Sequence, residues 1–128
     1  DVFEVLLTKE GKILEGMTSN FYIIKHTANT ERSSSASLVT AQRGILLGVT
    51  RKAVLRIARG QGMFIEYRLP KLRETFEEAF LTSSSRGVVP IISIDNIPVG
   101  QGRVGKWTKM LSKAYQAYVV ERSEKFIE

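Results

Sequence analysis

Short apolar runs of strand length recur along this chain, and just two stretches carry a helical period. "FEVLLT" (3–8), "KILEG" (12–16), "SNFYIIK" (19–25), "MFIEYRL" (63–69), "AFLTSS" (79–84) and "VVPIISIDNIPVG" (88–100) are rich in branched and aromatic residues and bounded by turn formers. "KEG" joins the first two as a hairpin, and Asp95 with Asn96 turns the last run back on itself. Val49, Ala53, Val54, Ile57 and Ala58 share one face of a helix that Gly60 and Gly62 end. A final helix is expected from about Lys106 to Glu124, with Trp107, Met110, Leu111, Ala114, Tyr115 and Tyr118 as its apolar stripe. A short helix is expected in "PKLRETFEE" after Pro70, and "TANTERSSSAS" (27–37) reads as a mobile hairpin tip or loop. This alternation predicts an α/β fold. With 128 residues, 43% of them hydrophobic, the chain can bury one core, so residues 1–128 read as a single domain.

Composition removes several classes of function. Cysteine is absent, which excludes a disulfide framework and thiol catalysis and fits an intracellular, cytoplasmic protein. No apolar run approaches the ~20 residues that cross a bilayer, and "DVFEVLLTKEG" lacks the form of a signal peptide, so no membrane partner is expected. The net charge is +6, yet Lys and Arg are interspersed with acids, as in "KLRETFEE", and no basic run is interleaved with stacking aromatics. A solvated basic surface follows, with no nucleic-acid partner. His26 stands without cysteine or a second histidine, so no metal constellation forms, and it reads as a surface residue with no acid placed for a serine triad. "GQGRVGKWT" has too few residues between its glycines for a phosphate-binding Walker loop.

Four stretches make sense as parts of one site for an anion and a ring. "LEGMTSNFY" puts Glu15 at a strand end beside Gly16; "GVTR" opens a helix whose first-turn amides have no intrahelical acceptor. "LTSSSRGVVP" sets Thr82 to Ser85 ahead of a turn, and "GQGRVGKWT" is a glycine-rich loop entering a helix. Each alone has an ordinary explanation: a hairpin-edge glutamate, a capping threonine, a solvated serine turn.

Together and in this order they resemble the pyridoxal-phosphate enzymes of fold type IV, which comprise branched-chain and D-amino-acid aminotransferases and aminodeoxychorismate lyases. The resemblance runs from "FEVLLTKEGKILEGMTSNF" through "LLGVTRKAVLRIA" and "EAFLTSSSRGVVPI" to "GQGRVGKWTKML". It implies the C-terminal, larger domain of the D-amino-acid aminotransferase-like fold, an α/β pseudobarrel preceded in the family by a smaller domain. Pyridoxal 5'-phosphate is the implied cofactor, with amino-group transfer between an amino acid and a 2-oxo acid as the reaction and a homodimer as the complete assembly. The lyase reaction, or a non-catalytic phosphate-binding scaffold, is the alternative.

Residue by residue, Glu15 matches the glutamate that pairs with the pyridine nitrogen, and Val49 and Thr50 match the amides that hold the phosphate, with the Thr50 hydroxyl adding a bond. Ser84 matches a further phosphate ligand, and the amides of Ser84 and Ser85 match the receiver of a substrate carboxylate. Arg86 departs from the small or acidic residues of relatives and is assigned to binding an acidic substrate. Ser19 and Asn20 shape the turn after Glu15, while Trp107 and Thr108 pack the last helix. The lysine that forms the Schiff base lies farther upstream of the glutamate in the family than this sequence extends, and Lys9 and Lys12 do not match its position. The resemblance therefore implies a fragment, without the catalytic lysine and inactive alone.

Overall fold

The computed structural model describes residues 3–5, 21–30, 33–41, 49–68, 70, 74–83 and 86–127. Its elements are β1 (Phe3–Val5), β2 (Phe21–Thr30), β3 (Ser33–Thr40), α1 (Val49–Gly60), β4 (Phe64–Tyr67), β5 (Glu78–Ser83), β6 (Gly87–Ile94), β7 (Ile97–Pro98) and α2 (Lys106–Ile127). The strands form one seven-stranded mixed sheet in the order β1-β6-β5-β2-β3-β4, with β7 paired to β6. β1 runs parallel to β6 and β4 parallel to β3, whereas β2, β3, β5 and β6 pair antiparallel in the centre. The expected α/β class holds.

Alternation along the central strands divides the apolar residues between two faces. Tyr22 and Ile24 of β2, Leu38 of β3 and Phe80 of β5 pack with Val54, Leu55 and Ala58 of α1 and with Trp107 and Leu111 of α2. The opposite parity, Phe21 and Ile23 with Val39, Ala79 and Ile91, forms a second cluster closed by Ile94 and Val99. Phe80 pairs in register with Tyr22, and their rings stack 4.5 Å apart with planes 7° from parallel. Both helices therefore sit over the Tyr22 row.

Three expectations are corrected. "TANTERSSSAS" is largely paired strand: β2 continues to Thr30 and β3 starts at Ser33, with Thr30 opposite Ser33. Strand pairing uses the backbone, so polar side chains do not prevent it. No helix occurs among the described residues of "PKLRETFEE"; Glu78 already begins β5, paired opposite Ile24. Val49 is not on the buried face of α1 but 78% exposed, and the face is completed instead by Thr50, Arg51 and Leu55. The "KILEG" strand lies outside the described residues.

Local chemistry sets the element boundaries. Asp95 and Asn96 both take positive φ, 50° and 66°, in the two-residue turn from β6 to β7. At the end of α1 the Met63 amide donates to the Ala58 carbonyl at 3.0 Å and the Gly62 amide to Arg59 at 3.0 Å, with Gly62 at φ 85°. That is a Schellman closure, and Met63 and Ala58 share the same apolar cluster.

α2 begins differently. Gly105 accepts its first intrahelical bond, from Lys109, and has no side chain with which to cap the amides that follow. Glu78 of β5 supplies the acceptor: its Oε1 takes the Thr108 amide at 2.7 Å and the Thr108 hydroxyl at 2.7 Å, and its Oε2 takes the Trp107 amide at 3.3 Å. Oε2 also lies 2.6 Å from His26 Nε2, so His26 is not a bare surface residue but the partner of a carboxylate that is 1% exposed. A Cβ on Gly105 would collide with that carboxyl group, which explains the glycine. Glu78→Ala leaves buried donors without an acceptor and is expected to cost about 3 kcal/mol. Gly105→Ala should lower stability in the same direction; a urea midpoint unchanged in both variants of the full chain would contradict the cap.

Candidate functional site

α1 enters the structure at Val49, directly after the glycine that the sequence places there. Its first-turn amides have no acceptor within the helix, and that turn carries no acidic residue. Val49 stands outward while Thr50 turns inward, 9% exposed. A helix opening of this kind suits an anion on the helix axis, where aligned peptide dipoles and amides without intrahelical acceptors act together.

The first turn is fixed by the residue after Thr50. Arg51 is 5% exposed, and its guanidinium donates to Thr40 Oγ1 at 2.8 Å and to the Ala41 carbonyl at the end of β3. Its Cζ lies 5.5 Å from the centre of the Tyr22 ring, a cation–π distance. Thr40 in turn donates to the Phe21 carbonyl at 3.0 Å, so the start of α1 is tied to β2 and β3 through one cation. Tyr22 completes the floor: its hydroxyl is 3.0 Å from Thr82 Oγ1 near the end of β5. Burial pushes the Tyr22 phenol above its ordinary value, with the bond to Thr82 and the Arg51 charge opposing that shift.

The second wall is the turn from β5 to β6. Ser83 pairs in register with Gly87, and Ser83 Oγ accepts the Arg86 amide at 3.3 Å. Gly87 adopts φ 75°, and its Cα faces the ring of Tyr115. Tyr115, from the middle of α2, also places its hydroxyl 3.3 Å from Thr50 Oγ1. The first turn of α1 and the β5–β6 turn are thereby joined through one phenol.

Of the residues assigned to the site from sequence, Val49 and Thr50 stand at the opening of α1, and Arg86 stands at the β5–β6 turn. Glu15, Ser84 and Ser85 lie outside the described residues, as do Ser19 and Asn20. Arg86 lines a groove of about 390 Å³ together with Val88, Val104, Lys109 and Lys113; Val49 and Thr50 are not among its walls. Trp107 and Thr108 are buried at the start of α2, as expected of them, and their amides also meet Glu78, which sequence reading did not foresee. Sequence reading missed Arg51 and Tyr115. Arg51 was hidden among neighbouring cations, and Tyr115 fits the apolar period of α2 whether or not its hydroxyl is used. Among the described residues no cluster of His, Asp and Glu could hold a metal ion, and no helix is long and apolar enough to cross a membrane.

The family described as amino-transferase class IV matches residues 1–94. D-alanine aminotransferase of Bacillus licheniformis is 30% identical over 127 residues, which are 98% of this chain and 42% of that protein. Branched-chain-amino-acid aminotransferase of Pseudomonas aeruginosa is 32% identical over 127 residues, 97% of this chain and 38% of that protein. In structure, the T.th. branched-chain amino acid aminotransferase complexed with N-(5'-phosphopyridoxyl)-L-glutamate superposes with a TM-score of 0.72 at 26% identity, over 92% of this chain and 38% of that one. The chain thus spans less than half the length of the relatives it matches.

Arg51→Met is expected to destabilise the full chain by about 3 kcal/mol, since it strips a buried cation from its acceptors; retention of the parent's thermal midpoint would refute the anchoring role. Tyr22 stays protonated in the folded chain at a pH where the unfolded phenol has ionised, so its contribution is present below pH 10 and lost as pH rises beyond it. Tyr22→Phe should flatten the alkaline fall in unfolding free energy, and an equally steep fall in both proteins would show otherwise.

Proposed function

The chain belongs to the class IV aminotransferase family, and from that premise we infer that it is the cofactor-binding part of a longer pyridoxal 5'-phosphate enzyme that moves an amino group between an amino acid and a 2-oxo acid. The observation that carries this reading is the joining of the α1 opening to the β5–β6 turn across Thr50 and Tyr115. Phosphate dianions need several donors converging from more than one element, and a helix start linked to the first residue of β6 through Tyr115 is a place where they can converge.

In this reading the Val49 and Thr50 amides and the Thr50 and Ser84 hydroxyls hold the phosphate. Glu15 holds the proton on the pyridine nitrogen. The bound cofactor supplies an electron sink for charge released at the substrate α-carbon. The amides of Ser84 and Ser85 orient the substrate carboxylate, and Arg86, beside Lys109 and Lys113 on its groove, favours a substrate with a second carboxylate. Arg51 adds fixed positive charge beneath the seat, within the same first turn. The Schiff-base lysine and the smaller domain belong to the rest of the longer protein, consistent with the 42% coverage of the Bacillus licheniformis relative, and the complete enzyme is a homodimer.

The test uses the full-length protein. Addition of pyridoxal 5'-phosphate should produce a visible absorption band that borohydride discharges, and branched-chain amino acids or D-alanine should yield their 2-oxo acids with a 2-oxo acid acceptor. Glu15→Gln should keep cofactor affinity within about threefold yet slow amino transfer at least about a hundredfold, the scale of losing one placed electrostatic group. A protein that acquires no band, or a Glu15→Gln variant with undiminished turnover, would overturn the assignment.

A further inference from the structure

Tyr115 makes two contacts that packing of an apolar stripe does not require. Its ring covers Gly87 so closely that a Cβ there would come within 2.7 Å of Cδ2 and Cε2. Its hydroxyl reaches across to α1 and stops 3.3 Å from Thr50 Oγ1. Tyr118, one turn on, lies with its ring centre 6.1 Å away and tilted by 34°, so the ring is also braced along α2.

A threonine hydroxyl carries one proton and rotates about its Cβ–Oγ bond. If that proton is to reach an anion at the helix start, the oxygen gains from a donor on its other side, both to fix the rotor and to polarise the O–H bond. The Tyr115 phenol stands where that donor is needed, and its ring is held by Gly87 beneath it. Gly87 has no Cβ because the ring occupies that space, and its φ of 75° is one that glycine adopts without strain.

We propose that Tyr115 is a positioning residue of the phosphate seat: it donates its hydroxyl proton to Thr50 Oγ1, aims the Thr50 proton at the phosphate, and spaces the α1 opening from the β5–β6 turn through its ring on Gly87. The inference rests on the phosphate seat described under the proposed function. It separates into a hydroxyl role, lost in Tyr115→Phe, and a ring role, kept in that variant.

The experiment compares pyridoxal 5'-phosphate with pyridoxal, which lacks the phosphate, by equilibrium titration of the full-length protein. Tyr115→Phe should weaken pyridoxal 5'-phosphate binding about three- to tenfold, the usual worth of one hydrogen bond, and leave pyridoxal affinity and the thermal midpoint unchanged. Thr50→Val should weaken phosphate-dependent binding at least as much, and adding Tyr115→Phe to it should produce no further loss, because the two hydroxyls act in series. Equal weakening of both ligands, an unaffected Tyr115→Phe variant, or losses that simply multiply in the double variant would overturn the role given to Tyr115 while leaving the seat intact. A parent protein that binds both ligands equally would overturn the seat itself and this inference with it.

Discussion

The carboxylate of Glu78 is the point on which the arrangement of the molecule turns. It is buried between the sheet and the start of α2, where a lone charge would be costly, and it is tolerated because the Trp107 and Thr108 amides and the Thr108 hydroxyl donate to it. The positive end of the α2 dipole adds to the two amides and the Thr108 hydroxyl. His26 brings β2 into the same network, and the His26 amide bonds Glu77 Oε1 at 2.7 Å. One acid therefore sets where α2 begins, how far it rises above the sheet and which way it is rotated. A slip of one residue would turn the helix by about 100°, enough to carry Tyr115 away from both Thr50 and Gly87.

Arg51 performs the equivalent task for α1 with the opposite charge. A cation in a first turn works against the helix dipole, so its presence there must be compensated by what it binds. The compensation is visible in Thr40 Oγ1, the Ala41 carbonyl and the face of the Tyr22 ring. Thr40 pairs with Tyr22 in the row that carries the stacked Tyr22 and Phe80 rings, and Ala41 follows it directly. Because that row also ends near Thr82, through the Tyr22 hydroxyl, the floor of the seat and the approach to the β5–β6 turn are one connected structure.

How much of this the sequence discloses depends on whether an element is specified locally. The end of α1 follows from Gly62, and the Asp95–Asn96 turn follows from residues that accept positive φ. The α2 stripe is legible from its period and is borne out at Trp107 and Leu111. What escapes sequence reading is long-range. Glu78 looks like the polar end of a short helix in "KLRETFEE" because its acceptor role depends on amides about thirty residues away that no local pattern reveals. His26 looks solvated for the same reason. Within the site, "GVTR" marks the helix opening to which we assign the anion, but nothing near Tyr115 in sequence says that its hydroxyl has a partner in α1.

These features assign α2 a function beyond covering the sheet. Its first turn is held by Glu78 and its middle rests on Gly87 while touching Thr50, so the helix spans from a buried cap to the candidate seat. Helices are stiff over so short a span, and a shift at the capped end is transmitted as rotation or displacement at the other. Disturbance of the Glu78 cap and of the Tyr115 hydroxyl should consequently differ in kind. The first changes global stability and moves the ring as well as the hydroxyl, so it would affect ligands with and without a phosphate alike. The second leaves the ring on its glycine and alters only the direction of one proton. The α1 opening is thus governed from two distances: by Arg51 directly beneath it, and by an acid at the far end of the neighbouring helix.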